Sequence, residues 1–289
     1  MVTLATLVAC VPQPVRWDEA IARQDGTLAA GVRLTLGDDG ASGFGVAWTP
    51  AAWPTEPGLC AATRRAVQAL APEPDAPEPA ARETDTSETD TSETDTSETD
   101  TSEAYASWFT ARPDSSVLLR VARSDDGGRT WNAAVTADST DVGRAGCARP
   151  TPFLSADPLN GYVHLAYHLV AREGAGVFFT HSMERGALFH EPVPIVYGDR
   201  PSTASVASRG DTVIVAYEDP NSRLPRLGLA LSRTQGHIFE SRVAASDETG
   251  EARTPLVAVR GTRIAVAWTA TQRGGATPRI VVRQGTLKW

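Results

Sequence analysis

Three stretches of the chain follow one pattern: YVHLAYH (162–168), TVIVAYE (212–218) and RIAVAWT (263–269). Each alternates small or polar residues with apolar ones and carries an aromatic side chain near its end. These aromatic residues, spaced 50 and 51 positions apart, are Tyr167, Tyr217 and Trp268. Alternation with a period of two is typical of β-strands. A period near fifty built from short strands is typical of a β-propeller.

Two further units fit the same spacing. Trp108 in AYASW and Trp48 in FGVAW occupy the aromatic position. The residue that ends the third strand then follows 15 or 16 positions later; it is Thr63, Ser124, Ser182 and Ser232 in the first four units. In the first unit Leu70 is expected on the fourth strand. The sequence therefore predicts five blades of four antiparallel strands.

The two ends of the chain complement each other. The last unit stops at Trp289, where its outermost strand is due, and residues 16–26 (RWDEAIARQDG) resemble the outer strand of another unit at 239–250. We expect the N-terminal strand to join the last blade and hide its edge. The prediction is an all-β, five-bladed β-propeller forming a single domain over residues 15–289.

The stretch SDDGGRTW (124–131) crowds acids and glycines into one turn. It resembles the Asp-box, S-x-D-x-G-x-T-W, of the sialidase-type repeat family, with degenerate copies at 182–189 and 232–239. The matching residues are Ser124, Asp126, Gly128, Thr130 and Trp131. The resemblance implies a turn between the third and fourth strands, on the face away from the active site. We interpret these residues as structural because such side chains are typical of turns.

The N-terminal residues 1–14 are predicted to be a signal and tether. VTLATLVAC resembles a bacterial lipoprotein signal with Cys10 as the lipidated residue, although no Lys or Arg precedes it; the alternative is a short buried strand. This predicts export and lipid anchoring at the cell envelope. Outside the cytoplasm Cys60 and Cys147 are able to pair, but two cysteines specify no framework.

An insert at about 71–103 combines a Pro-rich segment with four ETDTS repeats and is predicted to be disordered. Residues 83–103 hold nine acidic residues and no basic one, so the formal net charge of −8 becomes +1 for the rest of the chain. With no basic stripe, nucleic acid is not expected as a partner. We expect a monomer.

An arginine recurs near the start of the first strand of each unit. The five are Arg33, Arg82, Arg149, Arg200 and Arg253. Two interpretations stay open. The guanidinium groups converge on the channel mouth and clamp a carboxylate or sulfate, as the resemblance implies because sialidases hold the sialic acid carboxylate with three arginines. Alternatively, each arginine is a structural anchor paired within the protein.

Catalysis is uncertain from the sequence. Sialidases use a tyrosine nucleophile assisted by a glutamate, with an aspartate as acid/base, and carry an F/Y-R-I-P motif that this chain lacks. Tyr197 and Asp199 in YGDRP are the best catalytic candidates. No metal site or cofactor is expected, since His164 and His168 would lie about 13 Å apart on one strand.

The favoured function is an exported binding module for an acidic glycan or another carboxylate ligand. Loops after the second strands would add selectivity through Trp53, His168, Glu218 and Asp219. The alternatives are an exo-α-sialidase and a protein-interaction scaffold.

Overall fold

A computed structural model describes residues 13–69, 103–247, 250–272 and 277–289. Within these ranges the chain is almost entirely β-structure, and its one helical element is a 3₁₀ turn at Ala61–Thr63. None of the described residues forms a helix with the length and apolar character needed to cross a membrane. The all-β class predicted from the sequence is confirmed.

The described residues form nineteen strands, numbered here in chain order. They are β1 (Val15–Trp17), β2 (Ile21–Asp25), β3 (Val32–Leu36), β4 (Ser42–Val46), β5 (Arg65–Gln68), β6 (Ala104–Ala111), β7 (Val117–Ser124), β8 (Val135–Asp138), β9 (Phe153–Ala156), β10 (Val163–Ala171), β11 (Gly174–Ser182), β12 (Val193–Tyr197), β13 (Ala204–Arg209), β14 (Thr212–Glu218), β15 (Leu227–Ser232), β16 (Ser241–Ala244), β17 (Gly250–Arg260), β18 (Arg263–Gln272) and β19 (Arg279–Leu287).

The strands form five antiparallel sheets that follow one another along the chain. The first sheet contains β3 and β4, the second β5 to β8, the third β9 to β12 and the fourth β13 to β16. The fifth contains β17, β18 and β19, with both β1 and β2 paired to β19. Apart from β1 and β2, neighbouring strands within each sheet are consecutive in sequence, as expected for up-and-down blades.

The second strand of each of the last four sheets carries the repeated aromatic residue, and all four are buried: Trp108, Tyr167, Tyr217 and Trp268. These strands are buried along most of their length because each sheet packs between two others. In β10, for example, alternate residues belong to different core clusters, with Leu165 in one and Ala166 in another. Packing on both faces explains why small and large apolar residues alternate in the repeat.

The first unit differs from its prediction. The structure gives its sheet two strands, and Thr63, expected at the end of a third strand, lies in the 3₁₀ turn. The chain then enters β5, which is the first strand of the second sheet rather than part of the first. Leu70 and the insert from 71 to 102 lie outside the described residues. The segment between β4 and β5 packs instead through Trp48 and Trp53 against the second sheet.

The three turns that follow the third strands share one hydrogen bond. The hydroxyl that ends each strand accepts the backbone N–H of the glycine four residues later, at 2.7 Å for Ser124, 2.9 Å for Ser182 and 3.1 Å for Ser232. In the first turn the Asp126 carboxylate also accepts the N–H and hydroxyl of Thr130. These bonds, with one from Ser124, hold the pKa of Asp126 well below its usual range.

The same turns join one sheet to the next. Gly236 has a φ of +93°, and a Cβ atom there would lie 2.5 Å from Cζ of Phe179 in the preceding sheet. Gly128 approaches Trp48 of the first sheet in the same way. Only glycine allows both the backbone conformation and this close approach. The acidic residues of the SDDGGRTW stretch thus belong to a turn that packs on the neighbouring sheet.

Candidate functional site: an arginine-lined channel

The first strands of all five sheets line two adjoining cavities, which are together called the channel below. Its lower cavity, of 350 Å³, is lined by residues of β3, β5, β9, β13 and β17. Its upper cavity, of 340 Å³, lies where these strands begin. The two adjoining cavities share Trp48, Arg65 and Phe153. Each is large enough to hold a small ligand.

The channel lining is basic. Its five arginines are Arg33, Arg64, Arg65, Arg209 and Arg260. Among the described residues that line the two cavities there is no Asp, Glu or Tyr. At the lower end Arg260 pairs with Asp38, which lies outside the lining set. The lining itself thus carries positive charge and no acidic side chain, which attracts an anion.

Arg65 lies between the two cavities at the start of β5. Its guanidinium stands 3.4 Å from the ring centroid of Phe153. Its Nε is buried and has no hydrogen-bond partner, and no carboxylate of the described residues forms an ion pair with it. Burial lowers the pKa of Arg65 to about 10, so the group stays charged at neutral pH. Arg65 is thus a partly buried cation without a counter-charge, and an anionic ligand would supply a partner.

Aromatic side chains surround the upper cavity. The Arg64 guanidinium lies 5.0 Å from the centroid of the Trp53 ring, and its Nε donates to the carbonyl of Ala61. Trp48 forms another part of the wall. Flat apolar faces beside guanidinium groups match a ligand that is part ring and part anion.

A disulfide fixes the segment that carries these arginines. Cys60, just before the 3₁₀ turn, pairs with Cys147 on the connection between the second and third sheets, with their Cα atoms 5.2 Å apart. The Thr151 hydroxyl donates to the carbonyl of Ala62 nearby. The pairing that the sequence left open is thus present, and it holds Arg64 and Arg65 against the next sheet.

The predicted ring of five arginines is not assembled in the described residues. Arg149 forms a bidentate ion pair with Asp141, at 3.0 and 2.8 Å, and both side chains are almost fully buried. The Asp141 carboxylate also accepts the backbone N–H groups of Val117 and Val170. Arg149 is therefore a structural anchor, since its guanidinium is already used within the protein.

Two other predicted arginines are also engaged in the protein. Arg200 donates to the backbone carbonyls of Asp219 and Ser222, at 2.5 and 3.0 Å. Arg253 is half exposed and pairs with Glu251. Neither is among the residues that line the channel. Arg33 does line the lower cavity, from β3, whereas Arg82 lies outside the described residues.

The acidic candidates have local partners. Glu218 is buried at the end of β14 and accepts the Thr203 hydroxyl and the Thr254 N–H, each at 2.6 Å. Both threonines line the upper cavity, so Glu218 lies directly behind its wall. Asp219 organises the following turn by accepting the N–H of Asn221 and the hydroxyl of Ser222.

Tyr197 and Asp199 do not lie in the channel. Tyr197 ends β12, the outermost strand of the third sheet, where its ring packs edge-on against Phe178 at 6.1 Å. Asp199 is exposed on the connection to the fourth sheet. His168, expected on a selectivity loop, is instead buried on β10.

Sequence reasoning missed Arg64 and Arg65. The residue pair directly precedes the apolar run AVQAL, which is the signal for a first strand, but the long insert after it hid the true start of the second unit. Counting from Leu70 assigned that role to Arg82 instead.

No protein-family model and no curated protein sequence matches the chain. Among solved structures it is similar to the Hadza microbial sialidase Hz136, with 15% identity and a TM-score of 0.42 over 61% of this chain and 43% of that one. A Trypanosoma rangeli sialidase in complex with 2,3-difluorosialic acid gives 12% identity and a TM-score of 0.42, over 64% and 29%. A xylan β-1,4-xylosidase from Bacillus halodurans gives 11% and 0.38, over 62% and 38%. The chain thus spans less than half the length of these proteins.

Proposed function

We propose that the chain is a closed five-bladed β-propeller that binds an acidic glycan, or a similar carboxylate ligand, in its central channel. Two contacts support closure of the ring. The first sheet contacts the fifth through Arg260 and Asp38, and it packs on the second through Trp48. Pairing of β1 and β2 with β19 would fasten the ends of the chain within one sheet.

The observation that carries the proposal is the partly buried guanidinium of Arg65, which lies between the two cavities and has no ion pair with a described carboxylate. A ligand carboxylate at this point would accept forked hydrogen bonds and remove the cost of the uncompensated charge. Arg33 below and Arg64 above would add to the attraction. The stacked Trp53 and Arg64 would face the ring of the sugar at the upper opening.

The Asp-box resemblance of Ser124–Trp131 supports a carbohydrate as the source of the carboxylate. That family places its sugar site on the face opposite the box. Here the upper cavity lies where the first strands begin, and the three serine turns lie at the other end of the sheets. The upper cavity therefore lies on the face where the resemblance predicts the sugar site.

Binding is favoured over hydrolysis by the composition of the channel. No described residue of its lining offers a tyrosine nucleophile or a carboxylic acid. Glu218, a buried acid behind the wall of the upper cavity, already accepts two hydrogen bonds. The sialidase alternative would need Tyr197 and Asp199 to act from the outer edge of the third sheet.

Calorimetric titration of the full chain with 3′-sialyllactose, and with lactose as the neutral counterpart, tests the proposal. We expect the sialoside alone to bind. Loss of a charge-assisted fork costs about 1.5–3 kcal/mol, so Arg65→Met should weaken binding about 10- to 100-fold. The matched control is Arg253→Met, which removes an arginine outside the channel and should leave the affinity within about twofold.

The two alternative functions, sialidase and protein-interaction scaffold, predict different results in activity and binding assays. Turnover of a fluorogenic sialoside by the parent that disappears in Tyr197→Phe would establish the sialidase function. Binding of neither an acidic nor a neutral glycan would favour the scaffold function. If Arg65→Met and Arg253→Met weakened ligand binding equally, Arg65 would not be part of the binding site.

We also propose export with a lipid anchor at Cys10, which lies outside the described residues. The disulfide between Cys60 and Cys147 supports an oxidising compartment, because structural disulfides are rare in the cytosol. Expression in a bacterial host of the parent and of Cys10→Ala tests the anchor. We expect the parent in the membrane fraction and the variant unprocessed, and identical fractionation of the two would contradict the proposal.

A further inference from the structure

Three histidines from two sheets come together at the lower face. His181 precedes the last residue of β11, His190 follows the turn after that strand, and His237 lies in the turn after β15 of the next sheet. The His181 ring centroid is 4.5 Å from that of His190 and 4.6 Å from that of His237. The cluster therefore spans the boundary between the third and fourth sheets.

The ring nitrogens of the cluster lie close together. One nitrogen from each histidine lies within 4.8 Å of the other two. Nε2 of His181 is buried and has no hydrogen-bond partner among the described residues. Leaving such an atom unsatisfied costs about 1–3 kcal/mol, so a bound group that accepts its lone pair would stabilise the fold.

His237 is oriented in a way that suits a metal ligand. Its Nδ1 lies 2.7 Å from the carbonyl oxygen of Thr234. Because a carbonyl only accepts, Nδ1 carries the proton and Nε2 has a free lone pair. Metal-binding histidines commonly fix their second ring nitrogen through such a backbone carbonyl.

The geometry needs an adjustment at His190. Its ring is stacked on that of His181 with an interplanar angle of 17°, so it must turn out of the stack before both lone pairs meet at one ion. With metal–nitrogen distances of about 2.1 Å, tetrahedral ligands lie about 3.4 Å apart, so the three nitrogens must also close by roughly 1.4 Å at most. His190 is exposed and its side chain is able to rotate, whereas His237 keeps its bond to Thr234. His181 is held by its packing against Phe179 and serves as the fixed point.

We propose that His181, His190 and His237 bind a divalent first-row transition metal ion. The three imidazoles leave a fourth position open toward a cavity of 300 Å³ that Glu191 also lines. Imidazole suits Zn²⁺, Cu²⁺ and Ni²⁺. The ion would fasten the third sheet to the fourth, because His237 belongs to a turn of the next sheet. This site is separate from the channel, and its existence does not depend on the proposed glycan function.

Titration with Zn²⁺ tests the site in full-length, tag-free protein that has been treated with a chelator. The chain has five histidines, so a histidine tag would mask the signal. We expect one equivalent to bind and the melting temperature to rise. His190→Gln and His237→Gln should each lower the affinity about 100-fold or more and abolish the rise. Because both residues are exposed, these variants should fold.

His168→Gln is the matched control, since His168 is buried on β10 outside the cluster, and it should bind like the parent. Titration with Co²⁺ adds a spectroscopic readout, because coordination by three nitrogens gives visible absorption bands that the two cluster variants should lack. Two results would overturn the proposal: no binding of either metal to the parent, or equal binding by the parent and the His190→Gln, His237→Gln double variant.

Discussion

Arg149 and Arg65 are two arginines with opposite environments. Arg149 is buried in a bidentate pair with Asp141, whose remaining lone pairs accept backbone N–H groups. Arg65 lies in the channel against Phe153, with a buried Nε that has no partner in the described chain. The first arginine completes a network, and the second leaves one incomplete.

The difference separates structural from functional arginines. A paired buried charge is needed by its partner, so its removal should cost stability. A partly buried charge without an ion-pair partner destabilises the fold until a ligand binds. Its removal should therefore weaken ligand binding and leave the stability of the fold unchanged or higher. The predictions below, from the largest effect on stability to the smallest, test this contrast.

Arg149→Met should destabilise the fold by about 3–5 kcal/mol, because it leaves the Asp141 carboxylate buried without its counter-charge. Urea unfolding monitored by tryptophan fluorescence measures the change. The double variant Arg149→Met, Asp141→Asn should recover part of the loss, because it leaves no buried charge and the amide oxygen still accepts backbone N–H groups. A loss below about 1 kcal/mol in the single variant would show that the pair is not the anchor described here.

Replacing both Cys60 and Cys147 by Ser should cost about 2–4 kcal/mol, because the crosslink joins residues 87 positions apart. The same variant should bind 3′-sialyllactose less tightly, because the segment carrying Arg64 and Arg65 loses its tether. Arg149 has its own partner and should stay buried. Unfolding and binding measured on the same preparation test both effects. Unchanged binding would show that the disulfide does not support the binding site.

His168 adds a pH dependence on the side of Arg149. Burial, and secondly the charge of Arg149, lower the pKa of His168 from 6.5 to about 4. The unfolded chain therefore takes up a proton between pH 6.5 and 4 that the folded chain excludes, and stability falls as the pH falls through this window. His168→Gln should remove about 1–2 kcal/mol of that fall. Parallel stability curves for the parent and the variant from pH 7 to 4 would contradict this.

Arg65→Met should change the unfolding free energy by less than about 1 kcal/mol, or raise it, because it replaces an uncompensated cation by an apolar chain of similar length. The same substitution at Arg149 is the control. A loss above about 2 kcal/mol at Arg65 would make it a structural residue and end the contrast.

The repeat made most of the fold readable from the sequence. The spacing of Tyr167, Tyr217 and Trp268 identified the second strands, and the serines seven residues before Trp131, Phe189 and Phe239 marked the ends of the third strands. These features are local and periodic, so a single sequence is enough to detect them. The strands of the first sheet were predicted wrongly because Trp48 and Trp53 pack on the second sheet. Such a tertiary contact produces no repeated spacing in the sequence.

The site was harder to read because it depends on partners rather than on positions. Arg149, Arg200 and Arg253 occur at one repeat position, yet the structure gives them a carboxylate, two carbonyls and an exposed glutamate as partners. Whether an arginine has a partner is decided by loops that the repeat does not fix, such as the one carrying Asp141. The histidine cluster was missed for the same reason, since it joins two sheets.

Nitrogen NMR of the arginine Nε–H groups, recorded while 3′-sialyllactose is added, tests the central contrast most directly. The resonance of Arg65, assigned by its absence in Arg65→Met, should shift and become protected from solvent exchange. The resonance of Arg149, already paired with Asp141, should stay in place. A shift at Arg149 with none at Arg65, or saturation of the protein with no shift at Arg65, would contradict the account.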